Sequence, residues 1–379
     1  MDDNRYLTNP LFGSSNKIKL GLFCLNGATP QLSRAPEKYI PRWDKSLELM
    51  KKADKAGLEA MVAVSSWRGS IDDPRHLAHR ELEPFTWCAA LAACSSYPAI
   101  ISTFHAQLNH PAFIAKAAAT IDQISGGRAG LNFVAGSMDT TFSQFGQYVE
   151  DPEARYIHTE EVVDIVKKFW ESDESFDFNG TFCQVRNGIS LPKPVQKPGP
   201  AIMNAGSSGR GQQFAAKYAD IAFTLFNEDG TGWEDVVARY KSLAENEYQR
   251  KLQVWTHGYV VVGDSDEDAR KFLKYYAEDN ADTAWVDSFV KQVAENAPQL
   301  RPEQLYHMSR NWAAGGGAAL VGSAQTIADR LARFAEAGVS GMLLTSLDPT
   351  TMTDRFIGEV LPLLEKYGLR EPFHRAAAA

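Results

Sequence analysis

Hydrophobic and polar positions along this chain fall into blocks whose period switches repeatedly between two values. Short apolar runs at Lys17–Leu25, Ala60–Ser65, Ala99–Phe104, Arg128–Gly136, Ala201–Ala205, Ile221–Phe226, Gln253–Val262 and Gly341–Leu347 predict strands. Between them apolar residues recur at every third or fourth position. This spacing predicts helices at Trp43–Ala56, Pro84–Ala93, His110–Ser125, Arg155–Ser172, Gly209–Tyr218, Trp233–Gln249, Asp266–Ala277, Ala324–Ala337 and Thr353–Lys366. The punctuation agrees: Gly57 and Gly126-Gly127 stop helices, because glycine tolerates the left-handed conformation a C-cap needs. Pro84 opens a helix, where its missing N–H has no partner to lose.

Strict strand–helix alternation implies a parallel sheet covered by helices, an α/β protein. Eight such units in 379 residues favour a (β/α)8 barrel, a TIM barrel with insertions, over an open doubly wound sheet. KADKAGLEAMVAVSS and FAEAGVSGMLLTS echo one another, as repeated units would. No composition shift marks a boundary, so 1–379 reads as one barrel domain. Two segments interrupt the rhythm. FDFNGTFCQV at 176–185 reads as a small β insertion. Residues 279–319, with Gly315-Gly316-Gly317 near the end, form a long irregular excursion with some helix and a candidate lid.

Composition narrows the class further. A net charge of −8 with no basic stripe argues against nucleic acid. No run approaches the roughly 18 apolar residues that span a bilayer, and MDDNRYLTNP lacks the order of a signal peptide, so no membrane association and a cytoplasmic location are expected. Cys24, Cys88, Cys94 and Cys183 lie in apolar segments with no CxxC pair and read as buried free thiols.

Barrel chemistry gathers where strands end. Those ends carry Asn26, Ser65-Ser66-Trp67, Thr103 to His105, Asn132 to Ser137, Asn204 to Ser208, Phe226-Asn227 and Ser346. Amides, hydroxyls and aromatics dominate and paired carboxylates are scarce, which gives glycosidase chemistry little support. No HExxH or Cys/His cluster accompanies the histidines, so no metal site is expected. His105 ends a strand in the barrel mouth, as a proton carrier near neutral pH or as a structural histidine. Asn132 is an amide in an apolar strand, a placement that costs free energy unless something hydrogen-bonds to it. The turn NAGSSGRG, Asn204 to Gly211, offers backbone N–H groups and the hydroxyls of Ser207 and Ser208 at a helix start, which suits a phosphate; an ordinary capped loop has the same composition. Arg155-Tyr156 places a cation and a phenol at another helix start, where a surface ion pair is the plainer reading of Arg155.

HPAFIAKAAATIDQISGGRAGLNFVAGS, followed by RYIHTEEVVDIVKKFW, FNGTFCQV, LPKPVQ, AGSSGRGQQFAAKYAD and LVGSAQTIADRLARFAEAGVSGMLL, resembles the bacterial luciferase-like, flavin-dependent monooxygenases over residues 17–369. Within them the chain is most similar to the pyrimidine monooxygenase branch. The resemblance implies a TIM barrel that takes reduced FMN from a separate NAD(P)H-dependent flavin reductase and uses O2 to oxygenate a small molecule, the cofactor carrying the difficult chemistry. It implies that Asn132 hydrogen-bonds the flavin ring, that Thr103 lies where O2 meets it, and that Ser65, Ser66 and Thr141 touch it. Arg155, Tyr156 and Ser208, with Ser207 beside them, would hold the phosphate. Trp67, His105 and Phe226 are candidate pocket walls, and a homodimer or homotetramer is the expected assembly. The pyrimidine enzymes carry a lysine at the position of Ser66 and a glutamate at that of Thr141, which argues against uracil as substrate. His257 and Tyr259 stand where sulfonate enzymes keep an arginine and a histidine. The expected reaction is oxygenation of a heterocyclic or carbonyl-bearing compound with carbon–heteroatom cleavage; a sulfone or alkanesulfonate monooxygenase and a non-catalytic flavin-binding protein are the alternatives.

Overall fold

The computed structural model describes residues 3–28, 30–69, 71–136, 139–148, 151–226, 231–296 and 301–374. Its strands are β1 (Lys19–Phe23), β2 (Ala60–Val62), β3 (Ala99–His105), β4 (Ala129–Val134), β5 (Phe176–Asn179), β6 (Gln184–Gly188), β7 (Ala201–Asn204), β8 (Ile221–Phe223), β9 (Gln253–Val262), β10 (Ala318–Gly322) and β11 (Gly341–Thr345). The longer helices are α1 (Trp43–Ala56), α2 (Pro84–Ala93), α3 (Pro111–Ser125), α4 (Pro152–Glu171), α5 (Gly209–Tyr218), α6 (Trp233–Tyr248), α7 (Asp266–Lys274), α8 (Thr283–Asn296), α9 (Pro302–Ala314) and α10 (Ala324–Glu336). Nine strands form one sheet in the order β10-β9-β11-β1-β2-β3-β4-β7-β8, closed by pairing of β8 with β9. Leaving out β10, the remaining eight make a closed parallel barrel, and β5–β6 is an antiparallel hairpin to one side.

Small residues let the barrel close on large ones. Ala60, Ala99 and Ala201 share the interior with Met203, Phe223 and Trp255, and Leu11 from a short N-terminal helical turn packs in the same cluster. A Cβ on Gly21 would sit 2.6 Å from the Ala60 carbonyl, so β1 and β2 approach only through glycine. A larger apolar core lies between strands and helices.

The helix–turn–strand unit from His110 onward forms as expected. The His110 side chain accepts from the Ala112 N–H, Pro111 takes the first turn, and Gly126 closes α3 at φ +68°. Its apolar stripe ends at Ile121; Ile124 is exposed. Three other expectations need correction. Cys94 is exposed, unlike the other three cysteines, because it follows the last turn of α2. The excursion at 279–319 is mostly the helices α8 and α9, and its end runs into a strand, β10, which pairs with Gly258–Val262 of the long strand β9. Five residues straight after three glycines carry too little alternation to show in sequence. Thirdly, β2 and β8 are three-residue ladders, and the chain beyond each turns into the barrel mouth. Ser137, Asn227 and 297–300 lie outside the described residues. Among the described residues no helix is long and apolar enough to cross a membrane.

Candidate active site

Parallel register places Thr103 of β3 directly beside Asn132 of β4. The Thr103 hydroxyl donates to the Ala63 carbonyl at 2.5 Å, so its remaining capacity is as an acceptor. Asn132 fills it, donating from Nδ2 to Thr103 Oγ1 at 3.1 Å. That chain of donors decides the amide orientation: Asn132 must present Oδ1 away from Thr103. This oxygen is buried and has no partner among the described residues. Ser65 Oγ, His105 Nδ1, Thr140 Oγ1 and Arg155 Nε are buried and unpartnered as well. Buried polar atoms in folded proteins are almost always paired, so these open donors and acceptors, several of them at or just past the ends of β2, β3 and β4, suit a polar ligand; other unpartnered atoms, such as Gln31 Oε1, Thr256 Oγ1 and Thr353 Oγ1, lie elsewhere in the fold.

Val64 and Ser66, the chain neighbours of Ser65, line a cavity of about 400 Å³. Phe23, Cys24, Val64, Phe223, Leu225 and His257 of the barrel form much of its wall, and Trp285, Phe289 and Trp312 from α8 and α9 close over it. Arg68 is the one charged side chain on the described lining, and it pairs with Asp72 at 3.2 Å. Largely apolar, aromatic walls with few polar groups suit a planar organic ring. Two non-glycine residues at the site adopt positive φ, Cys24 at +63° and Trp67 at +56°, a local strain that persists only where surroundings impose it.

The loop after β7 leads into a capped helix start. Ser208 caps α5 by accepting from the Gly211 N–H at 3.1 Å, and Ser207 reaches the cavity wall. A Cβ on Gly206 or Gly211 would lie 2.4 or 2.6 Å from the Tyr156 hydroxyl, so the phenol is pressed against this turn. Gly209 meets nothing within 4 Å and leaves the helix start open to an incoming anion. Arg155, on the first turn of α4, donates to the Gly136 carbonyl. Thr141 donates to the Ser66 carbonyl at 2.5 Å, so the two positions that differ from the charged pair of the pyrimidine branch touch each other.

Of the residues singled out by sequence, Ser66 and Ser207 line the cavity directly. Thr103, Asn132, His105 and Thr141 are buried and are not part of its lining; Thr103 and Thr141 connect to the end of β2 through the Ala63 and Ser66 carbonyls. Trp67 stands outside, edge-on to Phe145 at 5.0 Å. Phe226 is not part of the pocket wall: it packs edge-on against the stacked rings of Trp233 and Phe334, and Leu225 lines the cavity instead. The chain past β8 no longer alternates, and the aromatic cluster of α6 and α10 captures the phenyl ring. His105 is not a proton carrier at neutral pH, since burial against Phe142 lowers its pKa to about 4. A histidine so lowered is neutral in the fold, and its burial reduces stability as pH falls from its unfolded value near 6.5 towards 4. Its Nε-proton and ring-carbon NMR shifts are therefore expected to stay constant down to about pH 5; a titration centred near pH 6.5 would show an exposed, structural imidazole. Sequence reading gives no cavity role to His257, whose Nε2 lies 3.3 Å from the Gly315 carbonyl and whose pKa burial lowers, or to Glu81, which in sequence looks like part of a solvated loop.

Residues 18–341 match the luciferase-like monooxygenase family, and the chain belongs to it. It is an enzyme of the flavin-dependent monooxygenase class. The chain is 28% identical over 355 residues to the pyrimidine monooxygenase RutA of Acinetobacter baylyi, spanning 92% of this chain and 95% of that one. To the protein of the same name from Serratia proteamaculans it is 30% identical over 359 residues, spanning 92% and 96%. Among solved structures, long-chain alkane monooxygenase LadA superposes with a TM-score of 0.84 at 20% identity, over 96% of this chain and 94% of that one. EDTA monooxygenase EmoA from Chelativorans sp. BNC1 gives 0.81 at 17%, over 94% and 95%. Both share the barrel fold.

Proposed function

We propose that this chain is the oxygenase component of a two-component system: it takes reduced FMN from a separate NAD(P)H-dependent reductase and, with O2, oxygenates a small heterocyclic or carbonyl-bearing substrate with cleavage of a carbon–heteroatom bond. The observation that carries this reading is the buried, unpartnered Oδ1 of Asn132, held in one orientation by Thr103. A buried acceptor held in one orientation suits a ring N–H donor such as a flavin would bring. Bound reduced flavin supplies the electrons that activate O2. The protein binds and orients: Asn132, Ser65, Ser66 and Thr141 meet the ring, Thr103 locks the Asn132 amide, and Tyr156, Ser207, Ser208 and Arg155 hold the phosphate. Residues 279–319 act as the lid, with Trp285 and Trp312 excluding water from the reacting centre. The whole chain, 1–379, serves as one barrel domain in a homodimer or homotetramer. A sulfonate is the weaker substrate, because Arg68 is already paired with Asp72 and no second cation lines the described wall.

Incubating the protein with a generic flavin reductase, NADH, FMN and ¹⁸O2 tests the reading: candidate heterocycles should yield product carrying one labelled oxygen, and reductase-independent or label-free turnover would sink it. The phosphate cradle makes a separate prediction. Gly211→Ala drives a Cβ into the Tyr156 hydroxyl and the Gly206 backbone. FMN affinity should fall about 10–100-fold, the worth of one or two charge-assisted hydrogen bonds, with riboflavin affinity unchanged in the same fluorescence titration. Equal losses for both flavins would place the phosphate elsewhere.

A further inference from the structure

Glu81 lies behind the cavity wall, in the loop between β2 and α2. Its carboxylate Oε2 accepts from the Ser66 N–H at 2.8 Å and from the Ser66 hydroxyl at 2.6 Å, and the Trp67 N–H also points at the carboxyl. Two successive backbone N–H groups turned onto one acceptor form a small anion nest, which accounts for the left-handed Trp67. Asn26, fully buried, ties the two ends of this loop together. Its side chain donates to the Val64 and Leu82 carbonyls at 2.8 and 3.0 Å and accepts from the Val64 N–H at 2.8 Å. The carboxyl is thus pinned behind Ser66, and Ser66 lines the cavity.

We propose that Glu81 is a positioning residue that decides whether the Ser66 hydroxyl offers the cavity a hydrogen-bond acceptor or a donor. With Glu81 ionised, the Ser66 proton is committed to the carboxylate, and the hydroxyl turns its lone pairs to the bound molecule. With Glu81 protonated, the carboxyl proton is donated to Ser66 Oγ, and the Ser66 proton is released towards the cavity, where a ring carbonyl or an oxyanion can take it. One proton is gained or lost by the carboxyl, and no other bond changes.

Burial lifts the Glu81 pKa to about 7, so both forms are populated near neutral pH. Glu83 on the same loop adds negative field, Cys24 at the end of β1 is a buried thiol with its own pKa raised, and Arg68 beyond Trp67 is occupied by Asp72. The donor form is therefore the acidic one. Binding of a carbonyl-rich ring should tighten as pH falls through the midpoint.

The proposal rests on the reading of this cavity as a flavin site, and riboflavin, which lacks a titrating phosphate, is the probe. Wild type should show a one-proton step of about five-fold in riboflavin affinity between about pH 5 and pH 9, the size of one neutral hydrogen bond. Glu81→Gln and Ser66→Ala should both be flat while each still unfolds in one cooperative thermal transition, and Glu81→Asp should restore the step at a shifted midpoint. A step that survives in Glu81→Gln overturns the proposal. If riboflavin does not bind wild type at all, the flavin reading fails, and infrared titration of the apoprotein decides the Glu81 claim alone. A carboxylic C=O band that titrates near neutral pH, is missing from Glu81→Gln and is shifted in Ser66→Ala supports it; no such band in wild type refutes it.

Discussion

Asn132→Ala should lower substrate oxygenation by about 10²–10³-fold, the usual consequence of removing one preorganised polar group from a dry site. The fold should survive the change. Thr103 keeps its bond to the Ala63 carbonyl, and the orphaned Asn132 oxygen contributes nothing to the stability of the free protein. Two measurements separate the outcomes. Product formed per O2 consumed should fall while hydrogen peroxide release rises, and flavin affinity should weaken. Thr103→Ala should behave similarly but more mildly, because it leaves the amide present and free to flip. Thr103→Ser, which keeps the hydroxyl relay, should retain most activity. The double variant should cost little more than Asn132→Ala alone, since both act through one hydrogen bond. Wild-type coupling in Asn132→Ala would remove this residue from the site.

The largest effect on stability is expected at the opposite end of the barrel. Arg370 and Glu59 form an ion pair at 2.8 Å with side chains 3% and 0% exposed. Glu59 also accepts from the Leu20 N–H at 2.8 Å, and Arg370 donates to the carbonyls of Ile18 and Gly57 at 3.1 and 2.9 Å. The pair thus ties the C-terminal segment to the start of β1 and the end of α1. Arg370→Ala leaves a carboxylate in the interior without its cation, and a loss of about 3–5 kcal/mol in urea unfolding is expected. Removing both charges together, Glu59→Gln with Arg370→Met, should lose much less, because no charge is then stranded. Flavin affinity should be untouched in the double variant, the pair lying on the face where barrels keep stability rather than chemistry. A loss below about 1 kcal/mol for Arg370→Ala would mean that water reaches Glu59.

The barrel is legible in the sequence because its signal is local. Each strand is a short apolar run, each helix a stripe at three- and four-residue spacing, and each boundary a glycine, proline or capping side chain acting within one turn. The same locality makes Asn132 conspicuous, as one amide in the apolar run AGLNFV, and makes the Ser207-Ser208 turn readable as a helix start. It fails where partners come from far along the chain. A strand read over Ile221–Phe226 ends at Phe226 and makes it a pocket-wall candidate, yet β8 stops at Phe223, and Trp233 and Phe334 claim the ring. Glu81 sits among polar residues and looks solvated in sequence; Ser66 and the Asn26 clamp give it a buried place. Burial likewise turns His105 from a candidate acid–base group into a neutral imidazole.

By itself, the sequence determined the class of fold, the order of its units, the family resemblance and the amide and hydroxyls at the strand ends, because period, capping and residue type are written within a few neighbours. Only the tertiary structure decided which of those side chains face one cavity, which way the Asn132 amide points and which aromatics of α8 and α9 cover it. These depend on register between strands far apart in the chain and on desolvation, which no single segment carries.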